Sequence, residues 1–159
     1  MYRKLKSKLR RLMWGLRFLS PYSALRLGIL NLFGIRRSLN VRVAGVKLAI
    51  RSGSTDFEVA VSSLGMGEYD GLPVSSADVI IDAGANIGTS AVAFSRLFPT
   101  AKIICIEPEC DNAHLLRQNT RALENVVVVE AALTLLAVYL IEERVRGYLR
   151  LQRVHTQRV

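Results

Sequence analysis

Residues 77–109 read ADVIIDAGANIGTSAVAFSRLFPTAKIICIEPE and hold the strongest pattern in this sequence of 159 residues. Residues 79–81 form a short β-branched apolar run, which is typical of a fully buried parallel strand, and the small residues 82–88 predict a tight turn. Residues 89–97 carry apolar side chains at helical spacing before Pro99, and residues 102–106 predict a second buried strand. The segment therefore predicts a right-handed βαβ crossover whose ligand-facing edge lies at the carboxyl ends of its strands.

The turn and the acid after the second strand indicate the kind of ligand. Gly84 and Gly88 lack a Cβ, so backbone can approach a ligand closely, and the first amides of the following helix carry a positive dipole. Glu107 lies 19 positions after Gly88, where a carboxylate can accept hydrogen bonds from both hydroxyls of a ribose. The spacing lacks the G-x-G-x-x-G fingerprint of dinucleotide-binding folds, and the leading acid Asp82 disfavours a pyrophosphate. The pattern predicts an adenosine-type ligand, the alternative being a plain strand-to-helix turn followed by a solvated acid.

The pattern D-x-G-x-N-x-G resembles the first motif of class I S-adenosylmethionine-dependent methyltransferases, and DAGANIG followed by IEPE resembles the FkbM family of that class. The resemblance covers residues 47–133 and includes the segments STD at 54–56 and GEYD at 67–70, and Asn119. It implies S-adenosyl-L-methionine as the cofactor and methyl transfer to an oxygen of a small hydroxyl-bearing molecule or sugar, with no catalytic base identified. The residues that it implies for the cofactor site are Asp82, Gly84, Ala85, Asn86, Gly88, Glu107, Pro108, Glu68 and Tyr69, with Glu107 on the ribose hydroxyls.

We therefore expect an α/β chain that holds the N-terminal half of a Rossmann-like class I methyltransferase sheet, with parallel strands in the order 3-2-1. Three regions are expected: a basic amphipathic helical arm at 1–40, the half domain at 41–133, and an atypical helical tail at 134–159. Within the half domain, residues 41–50 predict a β-hairpin and residues 125–133 a third strand. Helices are predicted at 57–64 and 110–123, and their expected caps are Thr55 or Asp56 for the first and Asp111 or Asn112 for the second.

The resemblance ends after residue 133, where family members continue with further strands. The remaining residues have an apolar helical stripe and many arginines, which is how a truncated gene or an altered reading frame would read. Without a fourth strand, the first strand would expose an apolar edge through which the chain could self-associate, and the cleft would have one wall. We then expect weak cofactor binding and no measurable methyl transfer. The alternative function is a degenerate, non-catalytic fragment that binds a partner or a membrane, whereas the missing fingerprint disfavours an NAD-dependent oxidoreductase.

The formal net charge of +9 is unevenly distributed along the chain. Residues 1–37 contain ten Lys or Arg and no acid, residues 38–133 contain seven bases and eleven acids, and residues 134–159 contain five bases and two acids. The first 20 residues alternate bases with apolar side chains, among them Trp14 and Phe18, and a second apolar helix is predicted at 22–33. Such an arm fits either a peripheral contact of residues 1–20 with an anionic membrane or a helical cap that packs on the domain. Arg17, Pro21 and Arg26 interrupt any membrane span.

Cysteine and histidine positions bear on the compartment and on metals. Cys105 and Cys110 form neither a disulfide framework nor a C-x-x-C pair, which is typical of a reduced, cytoplasmic protein. His114 and His155 share no ligand spacing with them, so no metal site is expected. His114 is expected on the surface, and Asn119 in a structural role. Since bases and aromatic residues do not interleave on a strand platform, we expect no nucleic-acid partner.

Overall fold

The structure, a computed structural model, describes residues 13–132. The predictions for residues 1–12 and 133–159 therefore lie outside the described residues. Helical residues 13–18 come first, and the elements that follow are α1 (Pro21–Leu32), β1 (Ser38–Val43), β2 (Val46–Arg51), α2 (Asp56–Ala60) with a π-helical turn at Val61–Gly65, β3 (Val79–Ala83), α3 (Thr89–Leu97), β4 (Lys102–Ile106), α4 (Cys110–Thr120) and β5 (Val126–Val129).

The predicted hairpin is confirmed, with β1 antiparallel to β2. Ala44 and Gly45 between the strands have φ angles of 47° and 82°, and two positive φ angles are what a two-residue hairpin turn needs. The ladder begins three residues earlier than predicted, at Ser38, because Leu39, Val41 and Val43 alternate inward with exposed neighbours. Leu19 and Leu27, from the predicted arm, are buried in the same core cluster as these hairpin residues.

The βαβ prediction is confirmed at the centre of the chain. Strands β3, β4 and β5 form a parallel sheet in that order, which is the expected 3-2-1 arrangement read from the other edge. The helices α3 and α4 connect successive strands and pack on the sheet, and Ile103 and Leu116 are fully buried between them. Such a βαβαβ unit is the mononucleotide-binding half of a Rossmann-like α/β fold.

Several expected details were wrong. The strand β3 is only half-buried, and Ile81 is 49% exposed, because within residues 13–132 it pairs with β4 alone and forms an edge. The helix expected at 57–64 is α-helical only from Asp56 to Ala60 and then widens into the π-helical turn. The helix α4 ends at Thr120 and β5 at Val129, both earlier than predicted.

The expected caps were also wrong. Neither Asp111 nor Asn112 caps α4, because the Glu109 carboxylate lies one position ahead and accepts hydrogen bonds from both of their backbone N–H groups. Thr55 precedes α2 without a side-chain capping bond. The carboxylate of Asp56 turns instead toward Arg51. A sequence pattern identifies candidate caps, but the residue at which the helix begins and the neighbours of each side chain decide which one caps it.

Candidate functional site

The turn after β3 folds back over the end of β4. The backbone N–H groups of Gly84 and Ala85 both donate to the carbonyl oxygen of Ile106, at 2.8 and 3.1 Å. Asn86 then adopts a left-handed conformation with a φ of 48°, and Gly88, with a φ of 86°, is the residue that precedes α3. The DAGANIG segment is thereby fixed at the carboxyl edge of the sheet, the edge at which open α/β sheets bind ligands.

The two glycines of the turn have different surroundings. A Cβ at Gly84 would have no atom within 4 Å, so this backbone is open to an approaching ligand. A Cβ at Gly88 would lie 2.5 Å from Leu116 Cδ1 and 3.2 Å from Thr120 Cγ2, so this glycine allows α4 to pack against the turn. Ala85 is buried with Ala91 in the sheet core, and its predicted contact with a cofactor stays a prediction.

Glu107 is buried at the end of β4, with 5% of its surface exposed. Its Oε2 accepts a hydrogen bond of 2.8 Å from the Asn86 backbone N–H, and its Oε1 accepts bonds of 3.1 Å from the Glu109 backbone N–H and from Asn112 Nδ2. A carboxylate can accept about four hydrogen bonds, so this one has capacity for about one more. The prediction that Glu107 holds the ribose hydroxyls stays a prediction.

A chain of polar contacts extends from Glu107 to the hairpin. The Arg51 Nη2 donates to Asn112 Oδ1 at 2.6 Å and to Asp56 Oδ1 at 3.0 Å, while Arg51 Nε donates to Asp56 Oδ2 at 2.9 Å. The hydrogen bond with Asp56 is the main cause that raises the pKa of Arg51 above its ordinary value. Asp56 therefore orients Arg51, Arg51 orients Asn112, and Asn112 holds the Glu107 carboxylate.

Asp82 lies near the end of β3, where the Ser90 hydroxyl donates to its Oδ2 at 2.6 Å. Burial raises the pKa of Asp82, the Ser90 hydrogen bond lowers it, and the nearby charge of Glu107 raises it further. Two carboxylates thus flank one turn. Such an arrangement disfavours an anionic ligand group and suits a cationic one.

The GEYD segment forms a turn before β3. The Tyr69 ring packs on Phe94 of α3 with 4.6 Å between the ring centroids, and burial raises its pKa more than any other cause. A hydrogen bond with Ser63 lowers the Tyr69 pKa, and the charges of Glu68 and Asp82 raise it. Glu68 and Pro108 are both exposed, and their predicted contacts with a cofactor stay predictions.

A groove of about 650 Å³ adjoins these residues. Asn86 and Asn112, which both donate to Glu107, line it together with the loop after β2. This loop contains the STD segment at 54–56 that the family resemblance includes. The remaining lining residues are Arg36, Arg37, Ser38, Arg51, Ser52, Gly53 and Asp111. The structure thus brings the STD segment, the glycine turn and the Glu107 network to one opening.

Asn119 joins the hairpin to the glycine turn. Its Nδ2 donates to the carbonyl oxygens of Ile87 and Ala49, at 2.8 and 3.0 Å, and its Oδ1 accepts from the Ala49 N–H at 2.7 Å. This confirms the structural role expected for Asn119, and His114 is exposed as expected. The sequence reading missed Arg51, Asn112 and Ser90 as parts of the site. Only Ser90, eight residues after Asp82 and the second residue of α3, could have been found from its spacing.

The fold and the site define the mononucleotide-binding half of a Rossmann-like α/β unit. No protein-family model matches the sequence, and no curated protein matches it. Among solved structures, the chain is similar to a precorrin-6y C5,15-methyltransferase from Geobacter metallireducens GS-15, with 26% identity and a TM-score of 0.38. It is also similar to a proposed RNA methyltransferase from Pyrococcus horikoshii, with 22% identity and a TM-score of 0.37. Each match covers 49% of this chain and 39% of the other chain.

Proposed function

We propose that this chain binds S-adenosyl-L-methionine at the carboxyl edge of its parallel sheet and forms the cofactor half of a methyltransferase site. The observation that carries the proposal is the bond between Glu107 and the Asn86 N–H, which joins the acid after β4 to the turn after β3 beside the groove. The resemblance of DAGANIG and IEPE to the FkbM family names the cofactor. By the same resemblance, the acceptor is a hydroxyl oxygen of a small molecule or sugar.

The residues present fit this cofactor. The space above Gly84 is open, and Glu107 retains capacity for about one hydrogen bond from a ribose hydroxyl. The carboxylates of Asp82 and Glu107 would repel a pyrophosphate, whereas S-adenosylmethionine carries a sulfonium and an ammonium group. Its bound form would supply an electrophilic methyl group for in-line displacement, and the contribution of the protein is mainly the positioning of donor and acceptor.

A non-catalytic binding module is the second candidate, and the half-exposed edge at Ile81 favours it. The two candidates differ in the ligand that the protein selects. A module that binds only through an exposed edge has no need for adenosine recognition at the glycine turn.

Ligand-observed saturation-transfer NMR tests the proposal on the full chain, since this method detects affinities as weak as about 1 mM. S-adenosylhomocysteine should receive saturation on its adenosine protons, and excess S-adenosylmethionine should displace it. NAD⁺ is the matched comparison because it contains the same adenosine attached to a pyrophosphate. Absence of transfer to S-adenosylhomocysteine, or equal transfer to NAD⁺, would contradict the proposal.

A further inference from the structure

The helix α1 has one face that attaches it to the rest of the chain. Ser20 caps its first turn by accepting a hydrogen bond from the Ser23 N–H, and Pro21 occupies its first position. Leu27 is buried in the core that the hairpin shares. Asn31 Oδ1 accepts a 2.7 Å hydrogen bond from the Gly53 N–H, beside the loop after β2. These contacts fix how the helix is rotated about its own axis.

The opposite face of α1 is apolar and exposed. Five large side chains follow one another at spacings of three and four residues or their sums, and each is between 46% and 79% exposed. At about 100° per residue they fall within an arc of about 100°. We name this set the α1 stripe, and it consists of Tyr22, Leu25, Ile29, Leu32 and Phe33. A surface helix in water normally directs polar residues outward, so this helix presents the reverse of the usual pattern.

The sequence that contains the α1 stripe has bases and no acids, although Glu58 of α2 lines the same cavity as Leu32. The first 37 residues contain ten Lys or Arg and no Asp or Glu. Arg26 is exposed next to the stripe on α1, and Arg36 and Arg37 are exposed just beyond its end. Met13 and Leu16, on the preceding helical residues, add further exposed apolar surface. An apolar helical face bordered by bases, with aromatic residues at both ends, has the composition of a helix that lies in a membrane interface.

We propose that the α1 stripe docks on an anionic lipid surface, with its apolar side chains in the interface and the surrounding bases against the headgroups. Charge complementarity selects this occupant, because a second copy of the chain would bring its own Arg26, Arg36 and Arg37 against the same face. Docking leaves the buried contacts of Leu27 and the hydrogen bond between Asn31 and Gly53 in place, so it needs no unfolding of the core. Among the described residues, no helix is long and apolar enough to cross a bilayer. The proposal goes beyond the cofactor site and does not depend on it.

Vesicle co-sedimentation of the full chain tests this docking. We expect binding to vesicles in which about a third of the lipid is phosphatidylserine, little binding to pure phosphatidylcholine, and a decrease at about 0.5 M salt. The variant Leu32→Glu/Phe33→Glu removes two members of the stripe. It should reduce the partition coefficient on anionic vesicles at least about tenfold, since it loses apolar contact and adds repulsion.

The matched control is Leu72→Glu/Val74→Glu, which makes the same chemical change at two exposed apolar residues away from α1. Its partition coefficient should stay within about twofold of wild type. All three proteins are compared by thermal unfolding, and the changes are at exposed positions, so we expect similar midpoints. The proposal would be overturned if the wild type did not bind anionic vesicles, or if both variants lost binding equally. It would also be overturned if the wild type had no lipid affinity and instead formed a dimer that only Leu32→Glu/Phe33→Glu abolished.

Discussion

The Glu107 carboxylate accepts a 2.8 Å hydrogen bond from the backbone N–H of Asn86. One buried acid thereby connects the end of β4 to the left-handed residue of the turn after β3. Because Asn112 donates to the same carboxylate and is itself held by Arg51, the shape of the turn depends on residues up to the hairpin. One hydrogen-bond network therefore joins the carboxyl edge of the parallel sheet to the N-terminal hairpin, although they are far apart in the sequence.

The two glycines of the turn should separate packing from ligand binding. Gly88→Ala should lower the free energy of unfolding by about 3 kcal/mol, because a positive φ and overpacking against Leu116 both oppose the new Cβ. Gly84→Ala should lower the free energy of unfolding only by the backbone cost, about 1–2 kcal/mol. It should also weaken the binding of S-adenosylhomocysteine, because the new methyl group occupies space that is open to the ligand. Urea denaturation measures both free energies. Equal losses in the two variants would contradict the different roles of the glycines.

The Arg51–Asp56 pair should be important for stability. Arg51→Met leaves the Asp56 carboxylate, whose side chain is 2% exposed, without its guanidinium partner. We expect a loss of about 3 kcal/mol in the free energy of unfolding. Arg117→Met is the matched control, since it breaks an Arg–Glu pair of 2.8 Å on the surface, and it should remain close to wild type. A small effect of Arg51→Met on the free energy of unfolding, measured by urea denaturation, would show that the Arg51–Asp56 pair does not stabilise the site.

The raised pKa of Asp82 predicts a pH dependence of stability. The folded protein binds the Asp82 proton more tightly than the unfolded chain, so this group's stabilising contribution is present at low pH and is lost as pH rises through its folded pKa. Asp82→Asn carries no such charge. Its free energy of unfolding, relative to wild type, should therefore increase from near pH 3.8 toward neutrality. Urea denaturation across this range measures the difference, and Asp78→Asn, at an exposed aspartate, is the control. A difference that does not change with pH would exclude the effect.

The sequence was sufficient to predict the βαβ unit because its signals are local. The predicted helix at 89–97 and strand at 102–106 have the same bounds as α3 and β4, and the glycine turn lies between β3 and α3 as expected. The Arg51–Asn112–Glu107 contacts could not be predicted, since they join residues up to 61 positions apart and depend on how the hairpin docks. The caps were wrong although the competing contacts are local: Glu109 is the residue immediately before α4, and Arg51, five positions before Asp56, binds the Asp56 carboxylate.

The exposure of Ile81 shows a second limit of predictions made from local sequence patterns. Apolar runs read as buried strands because most parallel strands have neighbours on both sides. In residues 13–132, β3 has a neighbour on one side, and this depends on sheet order rather than on its own residues.

The central claim is that Glu107 forms part of an adenosine site. Its direct test is the dissociation constant of S-adenosylhomocysteine, measured by NMR titration of the full chain and of the variants Glu107→Ala and Glu107→Gln. Glu124→Ala, at an exposed glutamate distant in sequence from the turn, is the control, and thermal unfolding verifies that each protein is folded. The account predicts binding to the wild type and the control, and at least about tenfold weaker binding to folded Glu107 variants, because a hydrogen bond to a charged group is worth about 1.5–3 kcal/mol. An unchanged dissociation constant in a folded Glu107 variant, or no binding to the wild type at millimolar ligand, would contradict it.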